Sequence, residues 1–258
     1  MPARISVRLW QLGILIACVG VWEWASQSGR IDRFFFSQPS LIAGRVVRWF
    51  AEGEVYRHLW ITSAEMLLAF FVGTLLGVVM GLWLALFPTA SAVLDPYIKA
   101  LNSIPRIILA PIFTLWFGLG MLSKVALGIT LVFFVAFFNT YQGVKEVNPV
   151  VLANARLLGA GGGQLLRHVY LPAAASWIFS SLRTSIGFAV IGAVVGEYLG
   201  AAAGLGYLIA QAEGVFDTTG VFAGMAVLMA FVLVLDFLVS LVERRLLVWR
   251  PQATESAR

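Results

Sequence analysis

Charge is what this sequence most lacks. Only 12% of its 258 residues are Asp, Glu, Lys or Arg, about half the usual share of a soluble domain, while 60% are hydrophobic. A water-soluble chain of this size could not cover its surface with so few charges, and a disordered one would be apolar-poor and charge-rich. One cysteine, Cys18, excludes an intramolecular disulfide, a cysteine-based zinc cluster or a redox pair; lying within the first apolar run, it reads as packing. Two histidines, His58 and His168, leave no His-Glu-x-x-His metal motif, and no metal or cofactor is expected. No Gly-x-Ser-x-Gly nucleophile turn occurs, so a membrane-embedded enzyme is disfavoured. No Gly-x-x-x-x-Gly-Lys-Ser/Thr loop occurs either; the glycines at 159–163 have no following lysine. The chain therefore brings no ATPase of its own.

What it has in abundance is long apolar runs. A mean hydropathy of +0.89 and nine tryptophans mark an all-α membrane protein. About 20 apolar residues cross a bilayer, and six segments qualify: Leu9–Ala25, Leu59–Phe87, Ile104–Gly120, Lys124–Tyr141, Ala174–Gly200 and Val221–Val242. Pro105 and Pro111 interrupt the third, which predicts a kinked or partly re-entrant course. Bulky Trp22-Glu23-Trp24 stands where a signal peptidase needs small residues, so the first run reads as an uncleaved helix. Trp10, Trp49, Trp60 and Trp249 read as an interfacial belt in contact with lipid.

The net charge of +5 orients the chain in a membrane and needs no nucleic acid. With a cytoplasmic N-terminus, Arg4, Arg8, Lys99, Lys145, Arg156, Arg167, Arg244, Arg245 and Arg250 face the cytoplasm, and so does the C-terminus. The stretch 201–220, with Glu213 and Asp217 and no basic residue, then lies outside. Arg30, Arg33, Arg45, Arg48 and Arg57 break the rule. Their segment carries Leu41, Ile42, Val46, Trp49 and Phe50 on one side, an amphipathic helix lying along the surface. The expected organisation is an N-terminal helix and amphipathic segment over 1–57, a transmembrane domain over 58–242 with a long cytoplasmic loop at 142–172, and a tail at 243–258.

That loop is the most informative stretch. Leu152, Leu157, Leu158, Leu165, Leu166 and Val169 recur at helical spacing on both sides of a glycine cluster, which predicts two short amphipathic helices. Small residues such as Ala153, Ala155 and Ala160 permit close approach of another protein. Gly159 ends one helix, and Pro172 opens the next where its missing N–H costs little. The run Leu152-Ala153-Asn154-Ala155-Arg156-Leu157-Leu158-Gly159-Ala160, then Val169-Tyr170-Leu171-Pro172, resembles the cytoplasmic coupling signature of binding-protein-dependent ABC importer permeases. Ala155, Gly159, Leu171 and Pro172 match in spacing, Val169 stands for an isoleucine, and Ala153 and Asn154 replace the expected Glu and Ala. Further pieces resemble the nitrate/sulfonate/taurine branch: Gln38-Pro39-Ser40, Leu94-Asp95-Pro96, the run from Pro111 to Gly120, Asn139-Thr140-Tyr141-Gln142-Gly143, Gly196-Glu197, Gly204-Leu205-Gly206 and Leu241 to Arg245.

The resemblance implies a six-helix type I ABC importer permease in a bacterial inner membrane. It implies a homodimer or permease pair, two cytoplasmic ATP-binding subunits and a periplasmic or lipid-anchored substrate-binding protein. It further implies a small anion such as a sulfonate, nitrate or taurine-like compound as cargo. An ATP-independent secondary transporter is the alternative; it needs internal repeats, which are not evident here. Charges within spans are costly and so candidate functional groups. Arg183 and Glu197 stand 14 residues apart in the fifth span, about 21 Å along one helix, and are the candidates for the substrate pathway. Each could instead serve as a structural anchor or hydrogen-bonding partner. Glu65 and Asp236 read as helix–helix contacts.

Overall fold

The computed structural model describes residues 2–246, so the expected tail, with Arg250 and Trp249, lies almost wholly outside the described residues. Fourteen helical segments run through them. They are α1 Pro2–Gln27, α2 Arg33–Phe36, α3 Pro39–Glu52, α4 Glu54–Leu86, α5 Pro88–Ser103, a 3-10 turn Arg106–Ile108, α6 Leu109–Phe117, α7 Met121–Lys145, α8 Pro149–Leu157, α9 Gly162–Leu165, a π-helical turn Leu166–Tyr170, α10 Leu171–Gly200, α11 Leu205–Gly214 and α12 Thr218–Leu246. There is no strand among the described residues. Backbone groups in hydrocarbon must be satisfied within their own segment, and helices do this.

Among the described residues five helices are long and apolar enough to span a membrane, or six if the bent pair α5 and 106–117 counts as one span. The expected third span, Ile104–Gly120, takes a different course. The chain climbs through α5 from Pro88, breaks at Ser103–Pro105 and continues at an angle of 75°. Pro105 removes an amide at the break and holds the preceding residue extended, with Ile104 at ψ 126°. The Pro96 interior to α5 is tolerated without a break.

The chain divides into two compact units. In the unit spanning residues 53–211, α4, α7 and α10 form the core, and glycine sets their spacing. Gly73, Gly77 and Gly81 lie every fourth residue along α4 and so share one face. A Cβ on Gly73 would come 2.8 Å from that of Val132; on Gly77, 2.7 Å from that of Ala136 and against the Phe133 carbonyl; on Gly81, 2.8 Å from the Phe137 carbonyl. Gly128 of α7 extends the seam onto Ala69 of α4 and also packs on Gly192 of α10, and Gly143 lies under Trp177. Lipid offers apolar side chains no hydrophobic gain for associating, so close backbone approach and dispersion hold such helices together. Outward-facing Phe71 and Leu75, 63% and 64% exposed, are what a lipid-facing helix surface requires.

The other unit joins residues 2–52 to 212–246. The edge of the Trp22 ring meets Phe222, with centroids 5.5 Å apart. Ile42 and Trp49 of α3 are buried, Val46 is half-buried, and Leu41 and Phe50 flank them exposed, so the expected amphipathic face forms with a narrower buried stripe. Three of the five basic residues that resisted the charge rule have local partners. The Arg30 guanidinium lies 4.2 Å from the Trp24 ring, Arg33 Nε donates to the Ser26 carbonyl at 3.3 Å, and Arg45 Nη1 meets Asp217 Oδ2 at 2.6 Å. Asp217 also accepts from the Gly220 amide at 2.9 Å, capping the start of α12. Partial burial works against its ionisation. The Gly220 amide and Arg45 outweigh that and hold its carboxyl below the usual carboxylate range.

Candidate functional site

Two places gather the residues singled out by sequence. The first is the loop after α7. Asn148 caps α8 by accepting from the Val150 amide at 2.8 Å, and Pro149 occupies the first turn. The helix closes with the Gly159 amide on the Arg156 carbonyl and the Ala160 amide on the Ala155 carbonyl, both at 3.0 Å. That pair of bonds needs a left-handed residue, and Gly159 supplies it at φ +85°. Ala153, Asn154 and Ala155 thus lie on α8, with Gly159 and Ala160 in its terminating turn. Beyond them, the Gln164 side chain accepts from the Gly161 amide at 2.9 Å and steadies the glycine run. Val169 falls in the π-helical turn, and Leu171 and Pro172 open α10 without a break. Leu157 and Leu158 protrude at the end of α8, 86% and 89% exposed.

The second place is around Glu197, buried near the end of α10 with 1% exposure. Its Oε1 accepts from Thr62 Oγ1 at 2.6 Å and its Oε2 from the Gly206 amide at 2.7 Å. Thr62 Oγ1 in turn accepts from the Leu205 amide at 2.9 Å, and His58 Nδ1 accepts from the Gly204 amide at 2.9 Å. Gly204 has a φ of +123°, and a Cβ there would strike the Glu197 carboxylate. Three successive amides of the 204–206 turn are therefore held by α4 and α10, as buried backbone donors require. Glu65, 2% exposed, faces Glu197 and keeps one oxygen, Oε2, buried without a hydrogen-bond partner. Lys124 lies close to both carboxyls and donates to the Leu119 and Gly120 carbonyls at 2.6 and 3.0 Å. It fits because Gly196 leaves room for its stem.

Arg183 and Glu197 share α10 but have different surroundings: Arg183 is exposed and Glu197 is sealed. Asp236 is exposed on α12. Thr62 and Lys124 were not singled out from sequence; a threonine in an apolar helix and a lysine at a span end carry no distinctive pattern. The glycine repeat Gly73-x-x-x-Gly77-x-x-x-Gly81 was readable and marks the α4–α7 seam. Among the described residues no cluster of His, Cys, Asp and Glu could hold a metal.

Comparison with known proteins places this arrangement. Residues 73–248 match the family described as binding-protein-dependent transport system inner membrane component. A putative aliphatic sulfonates transport permease protein, SsuC of Bacillus subtilis (strain 168), is 32% identical over 243 residues, covering 93% of this chain and 88% of the relative. The riboflavin transport system permease protein RibX of Chloroflexus aurantiacus is 34% identical and covers 88% and 85%. The taurine transport system permease protein TauC of Escherichia coli (strain K12) is 29% identical and covers 92% and 88%. Among solved structures, an inward-facing MetNI methionine ABC transporter chain superposes with a TM-score of 0.61 at 21% identity, over 74% of this chain and 94% of that one. A bundle built on α4, α7 and α10, a helical loop between two of its spans and a match across most of its length lead to one assignment: the chain belongs to the binding-protein-dependent transport inner membrane components and is the permease of an ABC importer.

Proposed function

We propose that this permease carries a small anion of the sulfonate or taurine type, working as a symmetric pair with two cytoplasmic ATP-binding subunits and an external binding protein. The observation that carries the coupling half of this reading is α8. Its end presents Leu157 and Leu158 almost fully exposed beside a glycine-terminated turn, an apolar knob that none of the described residues covers. Ala153, Asn154, Ala155, Gly159 and Ala160 form the docking segment; Val169, Leu171 and Pro172 continue it into α10, and both termini lie in the cytoplasm. Alanine at 153 leaves the contact with the ATPase to apolar packing. Arg183 is the exposed cation of α10 and serves the anion's route. Glu197 holds the 204–206 turn, since both of its oxygens are engaged there.

Purification of the tagged chain from its native host in mild detergent tests the reading. An ATP-hydrolysing subunit co-purifies, and ATP turnover is stimulated by the binding protein. Gly159→Glu places a side chain at φ +85°, where an L-residue costs about 1–2 kcal/mol, and puts a charge beside the knob. Membrane insertion persists while coupled ATPase and uptake fall at least tenfold. Uptake unchanged in this variant refutes the docking role, and a chain that transports alone without ATP establishes a secondary transporter.

A further inference from the structure

Arg106 stands at the break between α5 and α6 and belongs to none of the groups described above. Its guanidinium carbon lies 4.6 Å from the centroid of the Phe134 ring. Phe134 is near the middle of α7, about 20 Å from Met121 and about 16 Å from Lys145 at 1.5 Å per residue. A guanidinium at that depth cannot reach either headgroup layer by extending its stem, so snorkelling does not account for it. Structural pairing does not account for it either. Lys124 has Glu65 and Glu197 beside it, and Lys99 meets Asp95 at 2.7 Å. Among the described residues Arg106 bonds only the backbone and side-chain oxygens of Asn102, one turn away, and its Nε is buried with no hydrogen-bond partner.

The surroundings are polar on one side. Asp95, Lys99 and Asn102 follow one another at intervals of four and three residues and share one face of α5, and Arg106, just past the break, bonds back to Asn102. Asn102 and Ser103 are exposed. Polar groups exposed at membrane depth are tolerated where they line a water-filled space and not where they meet lipid. Along the face of α5 that carries Asp95 and Lys99 lies a cavity of about 480 Å³, lined by Asp95, Lys99, Asn139 and Gln142 together with apolar residues such as Phe137 and Trp177. A broken span, a mid-membrane cation with no carboxylate among its bonds, and a polar stripe on α5 that ends beside it describe a place where an anion rests.

We propose that Arg106 is the substrate-anion contact of the permeation route, its guanidinium receiving a sulfonate or carboxylate group at the α5–α6 break. The proposal rests on the anionic-cargo reading given above. A planar guanidinium offers paired donors to two oxygens of such a group, an ammonium only a point charge.

The test uses the full complex with its ATPase and binding protein in proteoliposomes, with taurine, ethanesulfonate, nitrate and neutral riboflavin as probes. Arg106→Ala lowers anion uptake at least tenfold while binding-protein-stimulated ATPase persists, and Arg106→Lys recovers part of the uptake. Arg106→Cys in a Cys18→Ser background is inactive, and a cationic thiol reagent restores uptake where an anionic one does not; Cys18 is exposed and must be removed first. Anion uptake that is equal in wild type and Arg106→Ala overturns the role of Arg106 and leaves the anionic cargo standing. Wild-type uptake of riboflavin with no anion carried overturns both.

Discussion

The α4–α7 seam makes opposite predictions for the same chemical change at two glycines. Replacing a helical glycine by alanine raises helix stability by about 1 kcal/mol where nothing obstructs the methyl. Gly187 of α10 is such a position, with no heavy atom within 4 Å of its Cβ site. At Gly77 the methyl would meet the Phe133 carbonyl, the Ala136 Cβ at 2.7 Å and the Phe137 amide at 2.9 Å. Two of these three are backbone, which cannot rotate away, so α4 and α7 must move apart along their length. Overpacking of this kind costs about 1–3 kcal/mol; the rigid neighbours put it at the upper end, and subtracting the helix gain leaves a net loss of about 2 kcal/mol. At about 2–4 °C per kcal/mol for a chain of this size, Tm falls by about 4–8 °C. Thermal unfolding of the purified permease in one detergent, followed by light scattering and intrinsic tryptophan fluorescence, measures both variants against wild type. Gly187→Ala unfolds at or above the wild-type temperature. A Gly77→Ala protein as stable as wild type would refute the close-packed seam.

Two further outcomes follow from the polar contacts. Glu197→Ala strips the Gly206 amide and the Thr62 hydroxyl of their acceptor, at about 1–3 kcal/mol per orphaned buried group; amide hydrogen exchange at residues 204–206 accelerates while exchange across 149–160 does not, and uniform protection would refute the role of Glu197 in holding the turn. Asp217 has a depressed pKa, so its contribution is fully present above the unfolded carboxylate value of about 3.9 and is lost as pH falls through the lower folded value. With both side chains of the Arg45 pair 30% exposed, solvent screening keeps that contribution to about 1 kcal/mol or less. Wild type therefore loses slightly more stability than Asp217→Asn on acidification from pH 6 to pH 3, and parallel losses would dismiss the pair.

Helix existence was legible because twenty apolar residues in a row have few other fates in a bilayer. α8 was legible to its last turn, since Gly159 is where a left-handed residue was needed. The course of α5 was not. Asp95, Pro96 and Lys99 dilute the apolar signal that locates a span, and Pro105 made the second half look like the whole. The unbroken passage from α9 into α10 was also hidden, because three glycines and a proline read locally as interruptions. Glu197 was visible as a buried charge, but its partners Thr62, Lys124 and the amides at 204–206 come from segments far apart in sequence. Only folding brings them together, and no spacing rule anticipates them.

The continuity of helix from Gly162 to Gly200 has a mechanical consequence. At 1.5 Å per residue it is a rod about 57 Å long, rooted in the loop after α7 and ending beside the Glu197 turn. A lever of that length magnifies: a tilt of about 5° at its foot displaces its tip by about 5 Å. The π-helical turn at Leu166–Tyr170 sits near the foot, and such turns are common sites of local give in a helix. A torque applied below it is split between bending that joint and swinging the arm, so the stiffness of five residues sets how much of such a motion reaches the other end of the helix.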